Sequence, residues 1–336
     1  MFALGLLPFE ALRFFLDALA SDNDAETYTR TLHNDVSFRL LGAGIATFLT
    51  TVAFFLIRRC LGPRSTRMRD DWHMFRRKLE GSFRAAFVEA GWEIKLSLAI
   101  ILLAALGLRL CFLNDPLWHD EASTYVDRAS LSLLKGLTTE ASQYHPMAVL
   151  TMHFSIRLFG YAEWAIRLPM LIAGILAVPL SYWVGGVLFN RVSGCIASSL
   201  VAVVYPLVTY SINGRGYAFG NIFFLITIGL VPYLARTRNF AFATIFMLAA
   251  GLANFSVQTM AFAFVTSIVF LGLTMLGLEG PRALYRIVFY CLMLSAGAVI
   301  ITFAFFSHFW LLHGIAEMTV SNFVLRGAHT LSLMES

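Results

Sequence analysis

Apolar stretches of about 18 residues or more recur along the chain, each bounded by a short polar turn. This is the pattern of helices that cross a bilayer rather than of helices that cover a soluble core. The spacing predicts spans over 40–57, 94–112, 164–188, 193–210, 217–235, 240–254, 258–278 and 286–312. Alternating strands of about ten residues do not occur, which argues against a β-barrel. The expected fold is therefore all-α, a polytopic helical membrane protein of about eight transmembrane helices. Segment 145–160 is also apolar, but it is short and carries His145, His153 and Arg157.

Charge decides how these segments thread. Residues 58–95 hold a concentration of Lys and Arg, so this loop is expected in the cytoplasm, and the next span delivers residues 113–144 to the outside. If 145–160 crossed, Arg191, Arg236 with Arg238, and Arg282 with Arg286 would all fall outside. If it lies flat on the outer surface, all of them fall inside, as the positive-inside rule prefers. The flat arrangement gathers 113–166, 211–217, 254–258 and the C-terminal tail on one outer face, with juxtamembrane helices in the first outer loop. The expected organisation is an N-terminal extension, 1–93, with one span at 40–57 and the basic cytoplasmic loop. A transmembrane module follows over 94–313 with its outer loop at 113–163, then a short tail, 314–336. The opening stretch, with Glu10 and Asp17, reads as an amphipathic surface helix rather than a cleavable signal peptide.

Composition agrees: 58% of the 336 residues are hydrophobic and only 13% charged, against roughly 25% charged in soluble domains. The formal net charge of +5 fits cationic loops against anionic lipid better than nucleic acid, so no nucleic-acid partner is expected. Cys60, Cys111, Cys195 and Cys291 have no paired spacing and read as small core residues.

Candidate chemistry concentrates in the first outer loop. Asp120 and Glu121 follow Trp118 and His119 close to the membrane surface. A carboxylate there can serve as a general base toward a hydroxyl or amine, or it can cap the helix beginning at ASTYVDRA. His145 before Pro146 is either helix punctuation or a donor to a phosphate or substrate oxygen. In YSINGRGYAFG, Arg215 stands on the outer side against the charge trend, which calls for an anionic partner. That partner is a lipid phosphate, gripped bidentately, or a carboxylate: Asp120, Glu121 or Glu163. Asn254, Ser256 and Gln258 suit interhelical hydrogen bonds before a sugar site. His308 and His313 are equally open. No HExxH, CxxC, Walker or GxGxxG pattern occurs, so neither a zinc site nor a nucleotide cradle of the soluble type is expected.

Three blocks taken in order carry a family likeness: LWHDEASTY with QYHPMAVL, then LFGYAEWAIRLPMLIAGILAVPLSYWVGGVLFNRVSG, then YPLVTYSINGRGYAFG. Together they resemble the membrane-embedded glycosyltransferases of the C fold, in the branch of the protein-mannosyltransferase-like and aminoarabinose-transferase-like enzymes. The likeness covers about residues 94–280. Its most specific block is FG-x-x-E-x-x-x-R-L-P, matched by Phe159, Gly160, Glu163, Arg167, Leu168 and Pro169.

The resemblance implies an inverting transfer of a sugar from a polyprenyl-phosphate donor to an envelope lipid (lipopolysaccharide among them), glycan or protein. It implies Asp120 as base with Glu121 beside it, and Arg215 with His145 and Tyr217 around the donor phosphate; His119, Tyr144 and Gln258 are further candidate substrate contacts. The expected location is a bacterial inner (plasma) membrane with the site on the periplasmic or extracellular face. No cofactor is required, although Asp115, Asp120 and Glu121 leave room for a divalent cation, Mg or Mn. Family members are usually longer and place the acidic loop soon after the first helix, so the chain reads as a minimal member or a fragment. Two other classes stay open: a non-catalytic transporter, flippase or assembly subunit for a lipid-linked glycan, and an inactive truncated paralogue. Transporters usually set polar groups at mid-membrane depth.

Overall fold

The computed structural model describes residues 68–131, 133–138 and 145–306, and among them every regular element is helical. The expected span at 40–57, the tail, and Tyr144 lie outside the described residues. Helix α1 (Met68–Phe83) runs into a π-turn and is followed by α2 (Trp92–Leu110). The acidic loop forms α3 (His119–Thr124), another π-turn and α4 (Leu133–Thr138). Then come α5 (Pro146–Phe159), α6 (Glu163–Leu188), α7 (Arg191–Val203) and α8 (Tyr205–Thr209). Three long helices, α9 (Tyr217–Thr237), α10 (Phe240–Ser256) and α11 (Met260–Glu279), precede α12 (Leu284–Phe305).

The protein is an integral membrane protein, but the expected count of eight spans is not confirmed. Four segments are long and apolar enough to cross: Glu163–Leu188, Tyr217–Thr237, Met260–Glu279 and Pro281–Phe305. Helices α7 and α10 are apolar but shorter. The expected span 193–210 is broken in two, because Val204 is extended ahead of Pro206 and α8 begins a new turn there. Helix α2 carries Glu93 in its first turn and Arg109 in its last, with an apolar stretch between.

Hydrogen bonds at the helix ends define two faces. At one, α1 and its π-turn lie across the bundle. Tyr182 Oη donates to the Ala86 carbonyl at 3.0 Å, Trp183 Nε1 to Ser82 Oγ at 2.9 Å, and Arg191 Nη2 to the Ala85 carbonyl at 2.9 Å. Asn239 Nδ2 donates to Asp71 Oδ1 at 3.0 Å. Arg238 pairs with Glu279 at the same end, so the basic turns converge there.

The opposite face is built around the start of α6. Arg167 reaches the 112–116 loop, and Ser155 Oγ donates to the Ala165 carbonyl at 2.6 Å. At the other end of α5, the His145 ring lies against the Ser256 carbonyl, at the end of α10. Both ends of α5 thus meet the same face, and α5 lies along it without crossing. Helix α6, with 26 residues and a length of about 39 Å, runs from this face to the basic one.

Packing between helices relies on close backbone approach where small residues allow it, the usual glue of membrane bundles. A Cβ on Gly185 would stand 2.7 Å from Gly194 Cα, so α6 and α7 touch backbone to backbone. Near the basic face, Leu230, Leu234, Phe242, Phe246, Leu271 and Met275 form a closed core among α9, α10 and α11. Ala148, Met152, Ile166, Met170 and Ala218 seat α5 on α6 and α9.

Candidate active site

Arg167 organises the acidic loop. Its Nη1 donates to the Leu113 carbonyl at 3.0 Å and the Asp115 carbonyl at 2.7 Å, and Nη2 reaches the Pro116 carbonyl at 3.2 Å. The same guanidinium grips Glu121 from two sides, Nε to Oε1 at 2.9 Å and Nη2 to Oε2 at 2.7 Å. Glu121 is fully buried, and its oxygens accept two further bonds. Gly214 N–H donates to Oε1 at 2.7 Å, and Trp118 N–H donates to Oε2 at 3.0 Å. The second of these is the N3-to-N-cap half of a capping box on α3. With four donors on its two oxygens, Glu121 is a structural tie between α3, α6 and the 211–216 turn.

Asp120, one residue earlier, faces the other way. Its side chain is 51% exposed and forms an ion pair with Arg215 Nη2 at 2.6 Å, while Arg215 is only 13% exposed. Of the alternatives left open by the sequence, Arg215 has taken Asp120. Asp120 is not the N-cap of α3, a position held by Trp118.

The turn that carries Arg215 is pinned at several points. Arg109 Nε donates to Ser211 Oγ at 2.7 Å, and Gly216 abuts the Ser256 carbonyl so closely that a Cβ would lie 2.1 Å from that oxygen. Arg109 also reaches the Ala202 and Val201 carbonyls at 3.0 and 3.1 Å, closing the C-terminus of α7 as cations do at helix ends.

His145 is buried, 4% exposed, at the N-cap of α5. Its Nδ1 lies 3.3 Å from the Ser256 carbonyl, and a carbonyl only accepts, so Nδ1 carries the proton. Burial, then the charge of Arg215, pushes the imidazole down to about 4. The ring is therefore neutral at pH 7, and Nε2 is a bare acceptor, buried and without a hydrogen-bond partner. A neutral ring with this tautomer has no proton on Nε2 to give a phosphate.

The Tyr217 ring lies between those of His145 and Tyr210, tilted against both, with centroids 5.2 and 4.2 Å away. Gln258 Nε2 is buried without a partner two residues beyond Ser256, and His119 is exposed on α3. Asp120, Arg215, His145 and Tyr217 thus gather on the face where α5 lies, with Glu121 buried beneath. Among the described residues no three His, Cys, Asp or Glu side chains cluster to hold a metal ion.

Two structural residues carried no assigned role in the sequence reading. Arg167 sits in the family-like block, and only its position across from Glu121 gives it a function. Arg109 had a signal, since a charge inside an apolar segment marks a partner or a site.

With this geometry in view, the sequence profile of the dolichyl-phosphate-mannose-protein mannosyltransferases matches residues 143–314, just over half of the chain. The chain belongs to that family. It is a family of C-fold membrane glycosyltransferases. The matched stretch opens two residues before His145 and includes Arg167, Arg215 and Tyr217, whereas Asp120 and Glu121 lie ahead of it. The mannosyltransferase-family part of the chain is therefore joined to the acidic loop by the Glu121–Arg167 and Asp120–Arg215 pairs. Searches of curated proteins and of solved structures found no match.

Proposed function

We propose that the chain transfers a sugar from a polyprenyl-phosphate donor to a hydroxyl acceptor at the membrane face that carries Asp120, with the donor phosphate on Arg215. The observation that carries this reading is the Asp120–Arg215 pair, a half-exposed carboxylate held against a mostly buried guanidinium. A phosphate arriving at Arg215 would exchange one anion for another on the same cation. That exchange frees the Asp120 carboxylate just as the donor is seated.

Asp120 then takes the proton of the acceptor hydroxyl while that oxygen attacks the anomeric carbon. The bond from the anomeric carbon to the phosphate oxygen breaks, its electron pair leaves on the lipid phosphate, and Arg215 offsets the charge that grows there. A single displacement inverts the anomeric centre. Glu121 holds α3 and the Arg215 turn in register from below. Tyr217 and neutral His145 orient the bound groups, His145 through an accepting Nε2.

The location that fits is the outer face of a plasma membrane, opposite the basic turns, as the positive-inside rule places it. The test is sugar transfer from a polyprenyl-phosphate donor by purified protein in lipid nanodiscs. Loss of transfer in Asp120→Asn, with unchanged insertion and thermal stability, is the expected result; full turnover in that variant removes Asp120 from the mechanism.

A further inference from the structure

Glu121 and Arg167 also form part of the wall of a cavity of about 240 Å³ that neither Asp120 nor Arg215 lines. The two wall residues are already committed to each other. The other polar side chains are Asp115, Thr209 and Asn213, and Trp118 and Tyr205 supply flat, largely exposed rings. Asn213 is only 8% exposed, and its Oδ1 is buried with no hydrogen-bond partner. Leaving a buried amide oxygen unmet costs about 1–3 kcal/mol, so the position calls for a donor from outside the chain. The Asp115 carboxylate joins no ion pair among the described residues.

The ligand must bring hydrogen-bond donors to Asn213 and Asp115 and an apolar face to the rings. A pyranose or furanose ring has both, with hydroxyls at its edge and C–H groups on its face. An ammonium headgroup would satisfy Asp115 and the aromatic rings, but it offers no flat edge of several donors to reach Thr209 and Asn213 together.

We propose that this cavity is a carbohydrate subsite that holds the acceptor, whose ring hydroxyls donate to Asn213 Oδ1 and the Asp115 carboxylate. The assignment to the acceptor rests on the transferase reading; sugar binding itself does not. Position supports it. Asn213 and Arg215 share one turn, and Glu121 and Asp120 are neighbours on α3, so the cavity adjoins the two elements that carry the proposed base and phosphate anchor while including neither.

The test uses the full chain in nanodiscs free of glycoside detergents, with methyl glycosides of mannose, glucose, galactose and arabinose as probes, read by saturation-transfer NMR. At least one glycoside should bind saturably. Asn213→Leu and Asp115→Asn should each weaken it about tenfold or more, as should Trp118→Ala, an exposed position where folding is not at stake. Asp120→Asn and Arg215→Gln should keep the binding. In a transfer assay, Asn213→Leu should raise the acceptor KM about tenfold and leave the donor KM unchanged.

The proposal is overturned if no glycoside binds saturably, or if binding ignores all three cavity variants. It is also overturned if ethanolamine binds there and no glycoside does. Glycoside binding that the cavity variants abolish, in a protein that transfers no sugar, upholds the subsite and removes the transferase reading alone.

Discussion

Glu121 and Arg167, 46 residues apart in the chain, meet fully buried in a two-pronged pair at 2.7 and 2.9 Å. Around this contact the acidic loop, the first turns of α6 and the 211–216 turn are tied by hydrogen bonds into one unit. Neighbouring Asp120 is left half exposed and paired with Arg215. Two adjacent carboxylates therefore have opposite surroundings, one a buried tie and the other half exposed against a single cation.

Breaking the tie should unfold the loop. Removing one partner of a buried ion pair leaves a charge without compensation and costs about 3–5 kcal/mol. Arg167→Met and Glu121→Leu should each lower thermal stability by that order. The double variant should recover a large part of it, because the stranded charge is gone. A double-mutant cycle on melting in nanodiscs checks this, and additive losses would deny the coupling.

Asp120 should behave in the opposite way. Asp120→Asn should leave melting within about 1 kcal/mol, because exposed pairs contribute little. Transfer should fall by about 10²–10⁴-fold, the usual share of a general base. Measuring turnover and melting on the same preparation separates the two carboxylates.

His145 sets a pH dependence of stability. Its folded-state value, about 4, lies below the ordinary 6.5, because burial and then Arg215 disfavour the charged ring. Below pH 6.5 the unfolded chain takes up a proton that the folded one refuses. Stability should therefore be fully present above pH 6.5 and decline as pH falls toward 4, by roughly 3 kcal/mol in all. His145→Gln should flatten the melting temperature across that window, and an unchanged slope would remove His145 as its source.

Arg109 should act on the Arg215 turn through Ser211. It ties Ser211 to the end of α7, so Arg109→Met should release both. Faster amide exchange at Gly214 and Arg215 is expected, together with a higher donor KM. Ser211→Ala should cause a weaker form of the same change and add little to Arg109→Met. Unaltered exchange in Arg109→Met would show that the turn holds its shape without this anchor.

Cysteine labelling tests the flat course of α5. In a background without native cysteines, His119→Cys and Tyr161→Cys should both react with an impermeant maleimide from one side, and Arg77→Cys only from the other. Labelling of Tyr161→Cys from the Arg77 side would mean that α5 crosses.

The amino-acid sequence alone determined the helical class and singled out the acidic and arginine segments that gather on one face, and its basic turns predict the threading. Each follows from local pattern: apolar run length, the charge between runs, and short polar motifs. The number of spans was less legible, since the break at Val204 before Pro206 and the satisfied charge of Arg109 depend on neighbouring helices. Tertiary structure alone decided that Glu121 is buried while Asp120 is exposed, that Arg215 pairs with Asp120, and that His145 presents a lone pair rather than a proton. The physical reason is that burial and hydrogen-bond partners, rather than residue type, set what a carboxylate or an imidazole can do, and the partners here lie between 46 and 111 positions away along the chain.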